Sequence, residues 1–330
     1  MTDAPLSAPG AAIGRSGRVA LRRLGGGAGP VLAVVAAILA LWYLACIPMN
    51  AAQSVQAADR AGAAVSPATA SERRAMSGLT LALANPAEAT SRAFGQERAR
   101  LPAPHQVAGE LWRTVAGEAP TSPRSLLYHA GITLAPTLLG FLLGSLAGAL
   151  LAVGIVHSRT ADLSVMPWAI ASQTIPILAI APMIIVVLNS VGVQGLVPKS
   201  IISAYLSFFP VTVGMVKGLR APAPADLDLM RTWNASAART LLSLRLPASL
   251  PYLFASLKVA VAAALVGAIV GELPTGAARG LGARLLAGSY YGQTVQIWSA
   301  LLAAAVLAAL LVGLVALLER VALRRMGLAP

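Results

Sequence analysis

The sequence predicts an all-α membrane protein with six transmembrane helices. Its 330 residues are 57% hydrophobic and only 11% charged, whereas a soluble domain carries roughly 25% charged residues. Several apolar runs reach the length of about 20 residues that a helix needs to cross a bilayer. These runs are continuous and do not alternate with polar residues, so they favour helices over the strands of a barrel.

The first third of the chain divides into a tail, a first helix and a polar insert. Residues 1–29 are rich in Gly, Ala and Ser and carry four arginines, so we expect a flexible basic tail. Residues 30–48 are an apolar run that could be either a cleaved signal peptide or a first transmembrane helix. We expect the helix, because the apolar part of a signal peptide is shorter, about 7–15 residues, and begins nearer the N-terminus. Residues 49–125 contain eight arginines, six acids and six prolines. We expect an extracytoplasmic insert here, with an amphipathic helix near 106–115 and no core of its own.

Residues 126–318 form the main transmembrane domain, and a basic tail, 319–330, follows. The five helices of this transmembrane domain are predicted at 131–156, 163–188, 199–216, 252–272 and 294–318. Small residues four apart let helices approach closely, and five glycines have this spacing: Gly140, Gly144, Gly148, Gly267 and Gly271. Three prolines interrupt the run at 163–188, so this helix should lie inside the bundle, where neighbouring helices or water satisfy its freed backbone groups.

The positive charges indicate the orientation in the membrane. The formal net charge of +13 would suggest nucleic acid in a soluble protein, but basic residues of a membrane protein collect in its cytoplasmic loops. Thirteen lysines and arginines lie in the tails and short loops on the side of the N-terminus, against two, Arg279 and Arg284, in the short loops on the other side. We therefore expect both termini in the cytoplasm and no nucleic-acid partner.

The residues that commonly hold metals or nucleotides form no recognisable pattern. Cys46 is the single cysteine and the three histidines are scattered, so we expect neither an internal disulfide nor a metal cluster. A phosphate-binding loop has the pattern G-x-x-x-x-G-K-[ST], and the run at 195–200, GLVPKS, lacks its second glycine. We therefore expect no cofactor and no metal in this chain.

The longest polar segment between the later helices is Lys217–Pro251, which we call the central loop. Within it, Leu227, Met230 and Trp233 recur every three residues, which predicts one apolar face of a short helix. An apolar helix face of this kind either packs back on the bundle or docks into the groove of a partner. The residues alone favour neither alternative.

A second short helix should follow within the central loop. Either Asn234 or Ser236 is suited to cap it, because both residue types accept the free N–H groups of a first turn. The helix should end by Leu246, because a proline such as Pro247 disfavours helical geometry in the residue before it. The central loop is therefore predicted as two short helices that lie across the cytoplasmic end of the protein.

Four segments, in order, resemble the binding-protein-dependent ABC transporter permeases of the nitrate, sulfonate and taurine branch. The central loop is similar to their EAA loop, whose pattern is EAA, a short spacer, glycine and then Leu-Pro. When the two patterns are aligned on Leu246-Pro247, the EAA positions fall on Asp228-Leu229-Met230 and the glycine falls on Asn234. The first position is therefore still an acidic residue, whereas the two alanines and the glycine are replaced by other residues. The other segments are LPAPHQV (101–107), TIPILAIAPMIIV (174–186) and RLPASLPYLFASLKVAVAAALVGAIVGEL (245–273).

The resemblance covers roughly residues 101–318 and implies a permease subunit of an ATP-driven importer in the bacterial inner membrane. Its core would be the second to sixth helices. In that family the EAA loop forms coupling helices that sit in a groove of a separate ATPase subunit, which favours docking for the central loop. The positions carried over are Asp228, Met230, Arg231, Trp233, Asn234, Ala235, Leu241, Arg245 and Pro247.

The resemblance also implies three further partners and a class of solute. The partners are a periplasmic or lipid-anchored solute-binding protein, a second copy of the permease in a homodimer, and membrane lipid. The solute would be a small organic anion or heterocycle, such as a sulfonate, nitrate, taurine or a pyrimidine. The runs ELPTG (272–276) and SYYGQTVQIW (289–298) resemble those of the members that carry pyrimidine precursors of thiamine.

Polar residues in the predicted helices are the candidates for the translocation pathway. Ionisable residues within a span are functional candidates by default. Glu272, Lys199 and Lys258 belong to this group, although all three lie near helix ends, where long side chains reach the membrane surface. Gln173 and Thr174 stand just before a proline, so they either line a polar cavity or form hydrogen bonds between helices.

Two other classes of function remain as alternatives. A self-sufficient secondary transporter or channel would need carboxylates at mid-membrane and usually has matching repeats in its halves, and neither is recognisable in the sequence. A membrane enzyme would need a nucleophile–base pair, paired carboxylates or an H-E-x-x-H motif, which are not found either. The permease hypothesis is therefore preferred, and ATP hydrolysis is expected in another subunit.

Overall fold

Helices form all of the regular structure in the computed structural model, which describes residues 14–274 and 279–327, with the backbone alone for 14–28. They are α1 (Gly14–Arg60), α2 (Ala70–Ala75), α3 (Gly78–Ala84), α4 (Pro86–Arg92), α5 (Pro104–Ala116), α6 (Leu126–His157), α7 (Arg159–Ser172), α8 (Ile177–Ser190), α9 (Leu196–Leu219), α10 (Pro224–Thr232), α11 (Ala237–Thr240), α12 (Leu246–Glu272), α13 (Leu281–Tyr290) and α14 (Thr294–Arg325). A π-helical turn, Leu241–Arg245, joins α11 to α12.

Within residues 14–274 and 279–327, five helical stretches are long and apolar enough to cross a membrane. They lie in α1, α6, α9, the continuous helix Ala237–Glu272 and α14. The pair α7 and α8 passes the same test together, but its two helices are bent by 97° at their break. The predicted all-α membrane fold is confirmed, with six spans where this pair is taken as one crossing.

Helix α1 extends beyond the predicted first transmembrane helix at both ends. It runs from Gly14 to Arg60 and contains Pro30 and Pro48, which we placed at its limits. Residues 14–29, expected as flexible tail, therefore belong to the helix, and residues 1–13 lie outside the described part. Beyond Pro48 the sequence AAQSVQAA at 51–58 sustains the helix, because alanine and glutamine are strong helix formers.

The insert contains a small core, contrary to our expectation. The chain divides into two compact units, one up to Gln106 and one from Val107, so the boundary falls inside the predicted insert. In the first unit, Ala51 of α1 packs with Ala82 of α3 and Ala89 of α4. Alanine buries little apolar area per residue, which is why the hydropathy of this segment did not predict a core.

Buried polar side chains support this first unit. Asn50 donates to the carbonyl oxygens of Ala93 at 3.0 Å and Leu101 at 2.8 Å, and accepts the N–H of Leu101 at 3.1 Å. Arg73 is only 8% exposed and forms an ion pair with Asp59. Because these buried groups are hydrogen-bonded, they hold the insert together at little desolvation cost.

Helix α9 occupies the centre of the second unit. Its most extensive pairings are with α6 and with α12. Towards the end of α9, Val211 packs with Ile155 of α6 and Ala260 of α12. The predicted amphipathic helix is α5, which covers a second cluster around Leu281 and Ala300. The fold therefore fixes α6, α9 and α12 as one packed layer.

The helix that leaves the central loop continues through Pro247, so the predicted end at Leu246 is wrong. Residues 237–272 form one continuous helix. The N–H of Leu246 donates to the carbonyl of Leu241, five residues back. Proline lacks an N–H and crowds the preceding turn. The wider π-helical turn shifts the hydrogen-bond register just before the proline, which then lies in the first turn of α12.

Candidate functional site

The central loop turns sharply between α10 and α11. The chain reverses at Asn234, whose φ of 52° lies in the left-handed region that asparagine tolerates better than most residues. Glycine is best suited to this conformation, and glycine is the residue that the EAA pattern has at this position. Ser236 caps the second helix, because its Oγ accepts the N–H of Arg239 at 3.3 Å.

An apolar surface on the central loop is exposed. Leu229, Trp233 and Leu242 are 47%, 68% and 64% exposed. The three residues of the predicted apolar helix face, Leu227, Met230 and Trp233, do not share one environment. Leu227 and Met230 are partly buried, whereas Trp233 is exposed and follows the last residue of α10. Of the positions carried over from the EAA pattern, Asp228, Arg231, Trp233 and Asn234 are exposed, and Met230, Ala235, Leu241, Arg245 and Pro247 are partly buried.

Charged side chains brace the ends of the central loop. Arg245 donates through Nη1 to the carbonyl oxygen of Leu219 at 2.9 Å. This places a cation at the C-terminus of α9, where the free carbonyls and the helix dipole favour positive charge. Arg220, next in the chain after α9, pairs with Asp162 of α7 at 2.8 Å. Two helices of the bundle therefore hold the entry and exit of the loop.

The predicted pathway residues Gln173 and Thr174 lie at the break between α7 and α8, and both are exposed. The Thr174 hydroxyl donates to Ala171 at 2.8 Å, and the Gln173 amide donates to Ser172 Oγ at 3.3 Å. Both bonds stay within the end of α7. Within the described residues, neither side chain forms the hydrogen bond between helices that was the alternative role, so the break presents polar groups outward.

The five glycines approach α9 from two sides, those of α6 from one and those of α12 from the other. The available space is given by the distance from a Cβ added at each glycine to the nearest backbone atom of α9. These distances are 2.6 Å at Gly140 (Ser200 O), 2.6 Å at Gly144 (Ala204 O), 2.5 Å at Gly148 (Phe208 O), 2.7 Å at Gly267 (Ser203 Cα) and 3.3 Å at Gly271 (Lys199 Cα). The first four distances are too short for a real Cβ, so glycine is required there unless a helix shifts.

Glu272 is fully buried at the end of α12. Its Oε1 accepts the Thr133 hydroxyl at 2.9 Å, and its Oε2 accepts the Gly282 N–H at 2.7 Å. Gly280, with φ of 120°, passes so close to the carboxylate that a side chain would collide with it. The structure therefore gives Glu272 backbone and hydroxyl partners, and in this conformation it has no exposed surface for a solute to contact.

Two residues of α6 that the sequence did not single out complete this buried network. Thr133 Oγ1 accepts the N–H of Leu281 at 2.9 Å, and His129 Nδ1 accepts the N–H of Gly280 at 2.9 Å. They are four residues apart and so share one face of α6. That spacing was their only signal, because the N–H groups that they accept belong to the backbone about 150 positions along the chain.

Two further charged side chains outside this network, Lys258 and Arg284, have oppositely charged neighbours. Lys258, a predicted candidate, pairs with Glu319 of α14 at 2.8 Å. In α13, burial lowers the pKa of the Arg284 guanidinium, and the neighbouring Glu110 carboxylate opposes this by raising it. The described residues contain no cluster of three or more histidine, cysteine, aspartate or glutamate side chains that could hold a metal ion.

The sequence of this chain is similar to those of known transport proteins. The family model described as "binding-protein-dependent transport system inner membrane component" matches residues 140–327. A probable ABC transporter permease of Haemophilus influenzae is 35% identical over 61% of this chain and 77% of its own length. The riboflavin transport system permease of Chloroflexus aurantiacus is 31% identical over 68% of this chain and 80% of its own length.

A third relative, the formylaminopyrimidine transport permease of Halalkalibacterium halodurans, is 31% identical over 59% of this chain and 73% of its own length. The family match, residues 140–327, lies within the second unit and includes the central loop, the five glycines and Glu272, whereas His129 and Thr133 precede it. The apolar spans and the family match together identify a multi-pass membrane protein. The chain belongs to the binding-protein-dependent transport system inner membrane components and is a permease subunit of an ABC importer.

Proposed function

We propose that the central loop docks into a groove of a separate ATPase subunit and transmits its movement to the pathway. The observation that carries this proposal is the exposure of three large apolar side chains of the central loop, Leu229, Trp233 and Leu242. An apolar surface at the end of a membrane bundle is costly in water and marks an interaction site. A helix that presents such residues fits the groove mode of recognition.

The connection from the central loop to the bundle supports a mechanical role. Residues 237–272 form one continuous helix, so a displacement of α11 is carried directly into α12. The bond from Arg245 to Leu219 and the ion pair between Arg220 and Asp162 tie the same loop to α9 and α7. Closure of the ATPase on the loop would therefore move several helices together, which is what alternating access requires.

The complete importer, in this proposal, contains two copies of the permease, two ATPases and a soluble or lipid-anchored solute-binding protein. Both termini and the central loop lie in the cytoplasm, as the distribution of lysine and arginine indicates. The ATPases hydrolyse ATP, and this chain contributes the pathway in the lipid bilayer. Gln173 and Thr174, exposed at the break between α7 and α8, are the pathway residues that we propose.

The solute, we further propose, is a small organic anion or heterocycle. Relatives are named for riboflavin, formylaminopyrimidine and aliphatic sulfonates, and the resemblance of two segments favours the pyrimidine group. Specificity resides mainly in the solute-binding protein. Ligand binding by the receptor encoded beside this chain, measured as a thermal shift with a panel of pyrimidines and sulfonates, identifies the solute. Stabilisation by neither class would remove this assignment.

Replacement of Trp233 by glutamate tests the docking of the ATPase. The charged side chain cannot enter an apolar groove without losing its hydration, so we expect at least about a tenfold loss of co-purifying ATPase and a loss of uptake. Membrane insertion and thermal stability should stay unchanged, because Trp233 is exposed in this chain.

Tyr291→Glu is the matched control. Tyr291 is 70% exposed and follows α13, outside the central loop, so the same chemical change there should leave ATPase co-purification at the wild-type level. If the Trp233→Glu protein retained the ATPase as well as wild type does, the central loop would not be the docking surface.

A further inference from the structure

An apolar groove of about 370 Å³ lies between α5, α6 and α14. The twelve residues that line it are all alanine, valine, leucine or tryptophan. Those of α5 and α6 precede residue 140, where the family match begins, so only the α14 wall belongs to the matched region. Membership of the family therefore does not account for the groove.

Helix α5 forms the wall that the two spanning helices lack. Both α6 and α14 are long and apolar enough to cross a membrane, whereas α5 has 13 residues. Leu111 and Val115 of α5 pack on the cluster around Leu281 and Ala300. Trp112 lines the groove and is 75% exposed. Helix α5 is therefore held on the bundle by one side, and its tryptophan stands beside the open groove.

The α14 wall contains a stripe of exposed apolar side chains. Leu302, Val306 and Leu310 are spaced four residues apart and so share one helix face. They are 42%, 49% and 66% exposed. An apolar cavity does not hold water, and the atoms that line an empty one lose van der Waals contacts. The groove therefore requires an apolar occupant.

The shape of the groove limits this occupant to a single chain. From Leu302 to Leu310 it extends about 12 Å along α14, at a rise of 1.5 Å per residue. A helix with its side chains is about 10–12 Å across, so the same length of helix would fill roughly 1,000 Å³. That is well above the groove volume of about 370 Å³. Half of the hydrocarbon core of a bilayer is about 15 Å thick, which is close to the length of the groove.

We propose that this groove binds one acyl chain of a membrane phospholipid. The chain lies along α14 from Leu302 to Leu310 and contacts the first turns of α6 and the indole of Trp112. It fills the space that the three helices leave open, and it is held more firmly than the lipids that exchange around the protein because protein contacts it from three sides. This assignment does not depend on the docking of the ATPase.

Photochemical crosslinking tests the position of the chain. The full-length permease is reconstituted in phosphatidylcholine with a diazirine on one acyl chain, irradiated and digested, and the labelled peptides are identified by mass spectrometry. We expect label on residues 302–310 and on residues 126–130. Leu142, which is 64% exposed on α6 and outside the groove, supplies the reference label of freely exchanging lipid.

Ala303→Phe fills the groove from the α14 wall. Its label on residues 126–130, relative to the label at Leu142, should fall at least about tenfold, which corresponds to a loss of about 1.4 kcal/mol in binding. Ala305→Phe is the matched control. Ala305 is an exposed alanine of the same helix that does not line the groove, so this variant should be labelled like wild type.

Ala130→Phe fills the same groove from the α6 wall. Its label on residues 302–310 should fall in the same way, which guards against a local effect of the first substitution. A variant that failed to fold would lose the reference label at Leu142 as well. The ratio of the two labels therefore separates loss of the acyl chain from loss of the fold.

Retention distinguishes a held lipid from one that exchanges. The phospholipids that remain on each protein after extraction are counted by native mass spectrometry. Wild type and Ala305→Phe should retain one more per chain than Ala303→Phe and Ala130→Phe. Equal counts in all four proteins would overturn the proposal, as would groove peptides of wild type without label while Leu142 is labelled. Unlabelled groove peptides together with a lower fraction of dimer in Ala303→Phe would assign the groove to a second copy of the chain instead.

Discussion

Thr133 makes two hydrogen bonds with different partners in the buried network, and this allows a sharp test at the residue scale. Its hydroxyl donates to Glu272 Oε1 at 2.9 Å, with the carbonyl of His129 as a second acceptor at 3.1 Å, and it accepts the N–H of Leu281 at 2.9 Å. Valine has nearly the same shape but can do neither. Thr133→Val should therefore lower the free energy of unfolding by about 1–3 kcal/mol, the cost of leaving a buried polar group without its partner, measured by thermal or denaturant unfolding in detergent.

Thr137→Val is the control for this substitution. Thr137 is equally buried and lies one helical turn further on, but its hydroxyl donates only to the carbonyl of Thr133 in its own helix. Removing that bond should cost less than about 1 kcal/mol, because the carbonyl keeps its backbone partner. Equal losses for the two variants would mean that the network does not hold the segment around Leu281.

The residue scale also shows where sequence reasoning reached its limit. The alignment placed Asn234 at the glycine of the EAA pattern, and its left-handed backbone gives that alignment a physical basis. Glu272 was recognised as an unusual acid, but its role was not predictable, because its partners include the hydroxyl of Thr133 and the backbone N–H of Gly282. Backbone partners carry no side-chain signal, so only the fold identifies them.

At the element scale, the packing of α6 against α9 depends on glycine. An alanine Cβ at Gly144 would lie 2.6 Å from the carbonyl oxygen of Ala204, so one helix would have to move. We expect Gly144→Ala to destabilise the protein by about 1–3 kcal/mol, as overpacking in a tight core does, with a lower yield of monodisperse protein and a lower unfolding temperature.

Gly154→Ala in the same helix separates this packing effect from helix propensity. An added Cβ at Gly154 meets nothing within 4 Å, so alanine there should be neutral or stabilising by up to about 1 kcal/mol. A loss at Gly154 as large as that at Gly144 would show that the effect comes from the helix itself and not from its contact with α9.

Element boundaries were the least predictable feature, and proline is the reason. Pro30 and Pro48 lie inside α1, and Pro247 lies inside the continuous helix at 237–272. The end at Leu246 was predicted because a proline disfavours helical geometry in the residue before it. A π-helical turn before Pro247 removes the conflict. This adjustment depends on the backbone of the preceding residues, which a pattern of residue types does not report.

For the whole molecule, hydropathy and the four matching segments were sufficient to predict the fold class and family. They were silent about the first unit, whose core consists of alanines and buried polar groups such as Asn50 and Arg73. These residue types contribute little apolar area, and their hydrogen bonds span distant parts of the insert.

The bend between α7 and α8 determines the membrane topology of the whole molecule. A pair bent by 97° either crosses the membrane or returns to the side from which it entered. With a crossing there are six spans and both termini share a side. With a return there are five, and the termini lie on opposite sides. The charge distribution favours six.

Cysteine labelling measures this directly, because Cys46 is the single cysteine and Cys46→Ala gives a cysteine-free background. Arg159→Cys lies at the first residue of α7, Gln194→Cys lies after α8, and Ala238→Cys reports on the central loop; all three positions are exposed. In intact cells a membrane-impermeant maleimide should label Gln194→Cys alone. Labelling of Arg159→Cys and Ala238→Cys should require opened membranes. If positions 159 and 194 were labelled from the same side, α7 and α8 would form a re-entrant pair, and the shared cytoplasmic side of the two termini would be excluded.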